Sequence, residues 1–110
     1  MAKKEKVNKF LVRAKARAQE LANGEFVYVV KCGIYYKIGM TNDIRNRMNI
    51  LQCGNPYEIQ LVWAVRKKNA KYMEEGLHEA LAQFNHRREW FILNEEFVSD
   101  LKEFVEKYED

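Results

Sequence analysis

Two strand-like runs separated by a glycine constrain this chain more than any other feature. Residues 26–31 and 35–40 are rich in β-branched and aromatic side chains, and Gly33 between them permits the positive φ that short hairpin loops often need. Successive side chains of a strand point to opposite faces, so Tyr28 and Lys37 each leave their strand opposite to apolar neighbours. A tyrosine and a lysine that face the same way across a hairpin form the beginning of a site for phosphate chemistry.

Length and composition predict one folded domain over residues 1–110. The chain has 110 residues, of which 47% are hydrophobic and 13% aromatic, which is typical of a folded globule. No apolar run approaches membrane-spanning length, and the lysine-rich start lacks a signal-peptide core, so we expect a cytoplasmic protein with no membrane partner. Cys32 and Cys53 have no Cys-x-x-Cys spacing and no matching histidines, which favours free, inert thiols.

Charge is distributed unevenly along the chain. Residues 1–22 hold seven Lys or Arg against two Glu, and residues 23–88 hold ten against six acidic residues. Residues 89–110 reverse the balance, with two basic against eight acidic residues. A basic front and middle suggest a surface for nucleic acid, where counterion release drives binding. Many solvated helices are equally basic, so the charge alone is weak evidence.

Hydrophobic periodicity predicts an amphipathic helix over residues 4–22, which belongs to an amino-terminal basic segment, 1–23. Its apolar positions recur every three or four residues, and Asn23-Gly24 closes it. Another side of this helix carries four basic residues that could track a phosphate backbone: Lys6, Lys9, Arg13 and Arg17. A solvated helix face is an equally good interpretation of the same residues.

The remainder of the pattern predicts an α+β domain, a small three-stranded antiparallel sheet flanked by helices. A helix from about Asp43 to Gln52 is capped by Thr41 or Asn42. Alternation over 59–65 predicts the third strand. Two further helices are predicted, one with its apolar stripe over 70–84 and an acidic one within 95–110. A short extended segment lies between them at 89–93.

The order of motifs in residues 25–93 resembles the short, phage-associated branch of the GIY-YIG nuclease superfamily. The motifs are Val27-Tyr28-Val29-Val30, Tyr36-Lys37-Ile38-Gly39-Met40-Thr41, Arg47 with Leu51, Gly54 and Pro56, Glu74 with Leu77-His78, and Glu89-Trp90-Phe91. Each motif is weak alone, and five in order are fairly specific.

The sequence departs from the motifs of the GIY-YIG superfamily at two points. Gly33-Ile34-Tyr35 reads as the first triplet but falls at the predicted hairpin loop, so the counterpart of the triplet is Phe26-Val27-Tyr28. Lys37 occupies the position of the second tyrosine, while Tyr36 lies one place earlier, on the opposite face. Branches of the superfamily with lysine at this position exist, so the change need not abolish activity.

The resemblance implies a metal-dependent endonuclease acting on DNA. Glu74 would hold one Mg²⁺ or Mn²⁺, and Tyr28 would act as general base or orient the attacking water, which requires a lowered phenol pKa. Arg47 would bind the scissile phosphate, and Lys37 would add positive charge or share the proton transfers. His78 follows Glu74 by four residues and would support the site. Specificity would come from a homodimer or a partner protein.

Ordinary explanations exist for each of these residues. Tyr28 also suits a strand aromatic, Glu74 and Arg47 suit solvated helix charges, and His78 suits a satisfied, partly buried histidine. Arg45 competes with Arg47, although its position two residues earlier points it elsewhere. Two other functions stay open: a DNA-binding module on the same fold without cleavage, motivated by the lysine, and a protein-binding fold that uses the acidic last helix.

Overall fold

The computed structural model describes residues 25–108, in which a five-stranded antiparallel sheet carries three α-helices. The strands are β1 (Glu25–Cys32), β2 (Tyr35–Thr41), β3 (Gln60–Lys67), β4 (Asn85–Arg87) and β5 (Trp90–Ile92), and their order across the sheet is β3-β1-β2-β5-β4. The helices are α1 (Ile44–Gln52), α2 (Ala70–Ala80) and α3 (Glu95–Lys107), and a 3₁₀ turn spans Ala82–Phe84. The helix predicted for 4–22, with its four basic residues, lies outside the described residues.

The β1–β2 hairpin has the turn that the sequence predicts. Cys32 pairs with Tyr35, which leaves Gly33 and Ile34 as a two-residue loop. Gly33 has a φ of +62°, a left-handed conformation that a glycine adopts without steric cost. The Gly33-Ile34-Tyr35 triplet therefore begins in the turn, whereas Tyr28 lies within β1.

The two faces of the sheet build two separate apolar clusters. One face packs against α2 and α3 and buries Val27, Val29, Tyr36, Ile38, Met73, Leu77, Val98 and Val105, among others. The other face packs against α1 and contains Tyr28, Val30 and Ile59, with Ile44, Met48 and Leu51 from the helix. The spacing of four and then three residues in this last group forms one stripe of α1, which explains why the helix lies there. Tyr28 and Tyr36 thus lie on opposite faces, as predicted.

The cap of α1 differs from the prediction. Asp43 is the capping residue, and its side chain accepts a hydrogen bond from the Asn46 amide at 3.0 Å. Thr41 instead accepts at its hydroxyl from the Asp43 amide at 3.1 Å. The prediction of Thr41 or Asn42 was wrong because Thr41 still belongs to β2 and orients the true cap.

The three-stranded sheet of the prediction was also wrong, because β4 and β5 extend it. Each of these strands has three residues, too few to display an alternating pattern, and all three residues of β4 are polar and exposed. Arg88 and Glu89 join these strands, and Arg88 has a φ of +53°. The helix predicted through residue 84 ends at Ala80 and continues as the 3₁₀ turn.

Helix α3 covers the first face and is fixed at two points. Asn94 caps it by accepting a hydrogen bond from the Phe97 amide at 2.7 Å. The buried indole of Trp63 in β3 donates to the Val98 carbonyl at 3.0 Å. Trp90, by contrast, lies half-buried on the second face. The Asn94 side chain thus has a structural role at the start of α3.

Within residues 25–108, Cys32 and Cys53 are both free, as expected. No helix in that range is long and apolar enough to cross a membrane.

Candidate active site

A polar cleft of about 380 Å³ lies beside the end of β2, between α1 and α2. Its lining includes three of the predicted site residues, Tyr28 from β1, Arg47 from α1 and Glu74 from α2. These residues are separated in sequence and meet only through the fold. Five more residues complete the lining: Gly39, Met40, Lys71, Glu75 and Glu89. Lys37 and His78 lie next to the cleft and are not part of its lining.

Tyr28 reaches the cleft by crossing β2 at a glycine. Tyr28 and Gly39 are register partners in the β1–β2 ladder, and the tyrosine is only 2% exposed. A Cβ atom at Gly39 would lie less than 3.0 Å from three atoms of the phenol, including its oxygen. The missing side chain at this position is therefore what allows the ring to lie across the strand.

The environment of Tyr28 favours its protonated form. Burial raises the pKa of the Tyr28 phenol to about 12, and the nearby carboxylates of Glu89 and Glu74 act in the same direction. The guanidinium of Arg47 opposes them and is outweighed. The lowered pKa that a general base needs is therefore not supplied by Lys37, and the phenol keeps its proton at neutral pH.

Glu74 is held at the cleft by its position on α2 and has a perturbed carboxyl group. Burial raises the pKa of Glu74, the His78 side chain lowers it, and the neighbouring Glu89 raises it again. A carboxylate that is partly removed from water and faces a second carboxylate is a group that a cation would stabilise.

His78 supports the position of Glu74 from behind the cleft. Its Nε2 donates to the Ile38 carbonyl at 2.8 Å, which ties α2 to β2. The same nitrogen lies 3.7 Å from Glu74 Oε1, and the ring packs edge-on against Phe91 with centroids 5.1 Å apart. His78 therefore directs Nε2 at a backbone carbonyl and lies beside the cleft without lining it.

Lys37 reaches the cleft through an ion pair with Glu89. The lysine is only 9% exposed, and its register partners on either side are Val30 and Trp90. Its Nζ donates to a carboxylate oxygen of Glu89. The pairing of Glu89 with Lys37 was not predicted, although a lysine on a sheet face that becomes buried needs a carboxylate or another polar partner.

Two cationic side chains complete the electrostatics of the cleft. Arg47 is half-buried and lines the cleft, whereas Arg45 is exposed and does not, so the structure favours Arg47 over its competitor. Lys71 lies one turn before Glu74 on α2 and also lines the cleft. Lys71 was missed, although its spacing of three residues from Glu74 places both on one side of the helix.

The oxygen donors at the cleft suit a hard cation that keeps much of its water. Within residues 25–108, no three His, Cys, Asp or Glu side chains group as a complete ligand set. Glu74 offers a carboxylate to the cleft, and the carboxylates of Glu75 and Glu89 line the same space. Mg²⁺ is commonly bound by one or two carboxylates together with waters and substrate phosphates, so these donors fit Mg²⁺ or Mn²⁺.

The Lys37–Glu89 pair can be tested by a double-mutant cycle. We expect Lys37→Met to lower the free energy of unfolding by about 1–2 kcal/mol, because it leaves Glu89 without its cation beside Glu74. Adding Glu89→Gln should restore part of this loss, since an amide needs no counter-charge. Urea denaturation followed by circular dichroism measures both effects. Strictly additive losses would show that the two side chains are not coupled.

An antiparallel α+β domain that gathers a tyrosine, an arginine and a glutamate in one polar cleft has the features of a nuclease-like domain. The family model of the T5orf172 domain matches residues 25–108, and the chain belongs to this family. Membership of this phage-associated family suggests a nuclease-like or DNA-binding function. Comparison with curated proteins and with solved structures gives no significant match.

Proposed function

We propose that this domain is a metal-dependent endonuclease of the GIY-YIG type, which hydrolyses phosphodiester bonds of DNA. The observation that supports the proposal best is the meeting of Tyr28, Arg47 and Glu74 in one cleft. Phosphodiester hydrolysis needs a positioned water, neutralisation of charge on the phosphate and help for the leaving oxygen. Tyr28 suits the first need and Arg47 the second, and an ion held by Glu74 would suit the third.

Arg47 and Glu74 have the two electrostatic roles. The planar guanidinium of Arg47 matches two phosphate oxygens, and its half-buried position limits competition from water. Glu74 would hold Mg²⁺ or Mn²⁺, which supplies a bound water of lowered pKa and positive charge for the phosphate. Lys71 on the same wall adds a second cation to the approach of the phosphate.

Tyr28 orients the attacking water through its hydroxyl group. The role of general base requires a phenolate, and burial together with two carboxylates disfavours that form in this chain. The neutral hydroxyl can donate one hydrogen bond and accept another, which fixes the direction of a water molecule. The rigid placement of the ring over Gly39 makes this orientation specific.

Lys37 and His78 maintain the geometry of the cleft from outside its lining. Lys37 holds Glu89 in place and offsets its charge, so that Glu74 faces less repulsion. His78 fixes α2 against β2 next to Glu74. The basic residues of the helix predicted for 4–22 would add affinity for the phosphate backbone of DNA. A homodimer or a partner protein would add specificity.

A DNA-binding module that does not cut is the second candidate. Two observations favour it: Lys37 occupies the position of the second tyrosine of the GIY-YIG superfamily, and the pKa of Tyr28 is raised to about 12. The two candidates share the same DNA-facing cleft and differ only in turnover.

Nicking of supercoiled plasmid distinguishes the two candidates. We expect the wild-type protein to convert supercoiled DNA to the open circle with Mg²⁺ or Mn²⁺, and to lose this activity when a chelator removes the ion. Salt-sensitive DNA binding without cleavage in either ion would favour the binding module. No DNA binding at low salt would contradict both.

A further inference from the structure

The edge strand β4 contains a bulge that changes the direction of its side chains. Asn85 pairs with Phe91, and Arg87 pairs with Trp90, so two steps along β4 match one step along β5. The extra residue is His86. Bulges of this kind occur at sheet edges and next to active sites, where they redirect a side chain.

The bulge brings Arg87 onto the sheet face that carries the cleft. Directly paired residues of antiparallel strands point to the same face, and the pairs Arg87 with Trp90 and Trp90 with Lys37 form a row across three strands. Lys37 pairs in turn with Val30, which belongs to the same cluster as Tyr28. From strand spacing, the Cα atoms of Arg87 and Lys37 are about 10 Å apart.

The turn after Arg87 is held in place although it is exposed. The amide group of Asn85 donates to the Arg88 carbonyl and, at 3.3 Å, to the Trp90 carbonyl. The His86 ring lies on the Tyr35 ring, with centroids 4.6 Å apart and an interplanar angle of 30°. Glu89, which follows Arg88 in the same turn, lines the cleft. These contacts fix the β4–β5 turn, which joins Arg87 to the lining of the cleft.

The guanidinium of Arg87 has no counter-charge among residues 25–108. No ion pair involves it there, and every residue of β4 is exposed. The N–H donors of Arg87 are therefore available to a ligand. The planar guanidinium group matches two oxygens of a phosphate, and the row of paired residues leads from Arg87 towards the cleft that contains Arg47. Lysine and arginine contacts to phosphates position a duplex on a protein without reading its sequence.

We propose that Arg87 binds a backbone phosphate of DNA beside the phosphate that lies in the cleft, so that strand β4 holds the nucleic acid across the site. This inference rests on the proposed action on DNA and adds a contact made by the described residues themselves. It does not depend on cleavage, because a phosphate contact contributes equally to binding in a nuclease and in a binding module.

Binding measured without a metal ion tests the inference. The affinity of the full chain for a short radiolabelled duplex is measured by filter binding, in chelator, over a series of salt concentrations. Arg87→Gln should weaken binding at low salt by about tenfold and reduce the slope of log affinity against log salt by about 1. The matched control is Lys102→Gln, which removes the same charge from α3, on the other side of the sheet. It should leave both quantities close to the wild-type values.

The outcomes separate this inference from the proposed function. An unchanged slope in Arg87→Gln, or an equal loss in Lys102→Gln, would overturn the phosphate contact even if plasmid nicking were normal. A reduced slope in Arg87→Gln alone would support it even if no cleavage occurred in any ion. Circular dichroism of both variants checks that the fold is intact, which we expect because both side chains are exposed.

Discussion

Replacing Glu74 by glutamine is expected to lower the rate of plasmid nicking by at least about 100-fold, because several kcal/mol of transition-state stabilisation would be lost with the ion. Glutamine keeps the size of the side chain and removes the charge that would hold Mg²⁺ or Mn²⁺ in the cleft. Glu74 is partly buried among other carboxylates, so the amide should be tolerated in the fold. The initial rate of conversion of supercoiled to open-circular DNA measures the effect.

Glu79→Gln on the same helix provides the matched control. Glu79 is exposed, does not line the cleft and lies about 140° around the helix from Glu74. It should retain the wild-type rate. Equal rates in wild type and Glu74→Gln would contradict the assignment of the metal to this carboxylate. Equal losses in the two variants would show that the loss is not specific to the carboxylate in the cleft.

Replacing Gly39 by alanine is expected to destabilise the domain by about 1–3 kcal/mol, the usual range for overpacking a well-packed site. The new methyl group would lie less than 3.0 Å from atoms of the Tyr28 phenol. The ring is only 2% exposed and packs with Val30 and Ile59, so moving it away from the new methyl group would disturb this packing. Urea denaturation followed by circular dichroism measures the loss, and the nicking rate should fall as well because the hydroxyl is displaced from the cleft.

Two variants identify the cause of this loss. Gly76→Ala in α2 meets no atom within 4 Å, so it should stabilise the domain by about 0.5–1 kcal/mol through helix propensity. Gly39→Ala introduced into a Tyr28→Val background should cost much less than in the wild type, because the clashing ring is gone. A neutral Gly39→Ala in the wild type would show that the ring does not rest on this glycine.

The parts of the fold that sequence predicts well are those with local periodic patterns. Alternation in residues 26–31 and 35–40 predicted the hairpin and the opposite faces of Tyr28 and Tyr36, and the structure confirms both. The helix predicted from about Asp43 to Gln52 is likewise confirmed by α1. Strands β4 and β5 were not predicted as a pair, because three residues carry no period and β4 has no apolar side chain.

The residues of the candidate site also differ in how well the sequence predicts them. Tyr28, Arg47 and Glu74 could be proposed from motif order, and the fold places them in one cleft. The pairing of Glu89 with Lys37 was missed, because it depends on β5 lying beside β2, and the three residues of β5 carry no pattern that predicts this. The raised pKa of Tyr28 was also out of reach, since it results chiefly from burial, and burial depends on the packing of the whole sheet.

The placement of the two tryptophans gives the domain a pair of natural optical probes. Trp63 is buried against α3 and donates its indole N–H to the Val98 carbonyl, whereas Trp90 is half-buried on the opposite face, between Arg87 and Lys37. The chain has only these 2 tryptophans, so removing either one leaves a single emitter. The emission of Trp63 would then report the docking of the last helix, and that of Trp90 the approach of a ligand to the cleft.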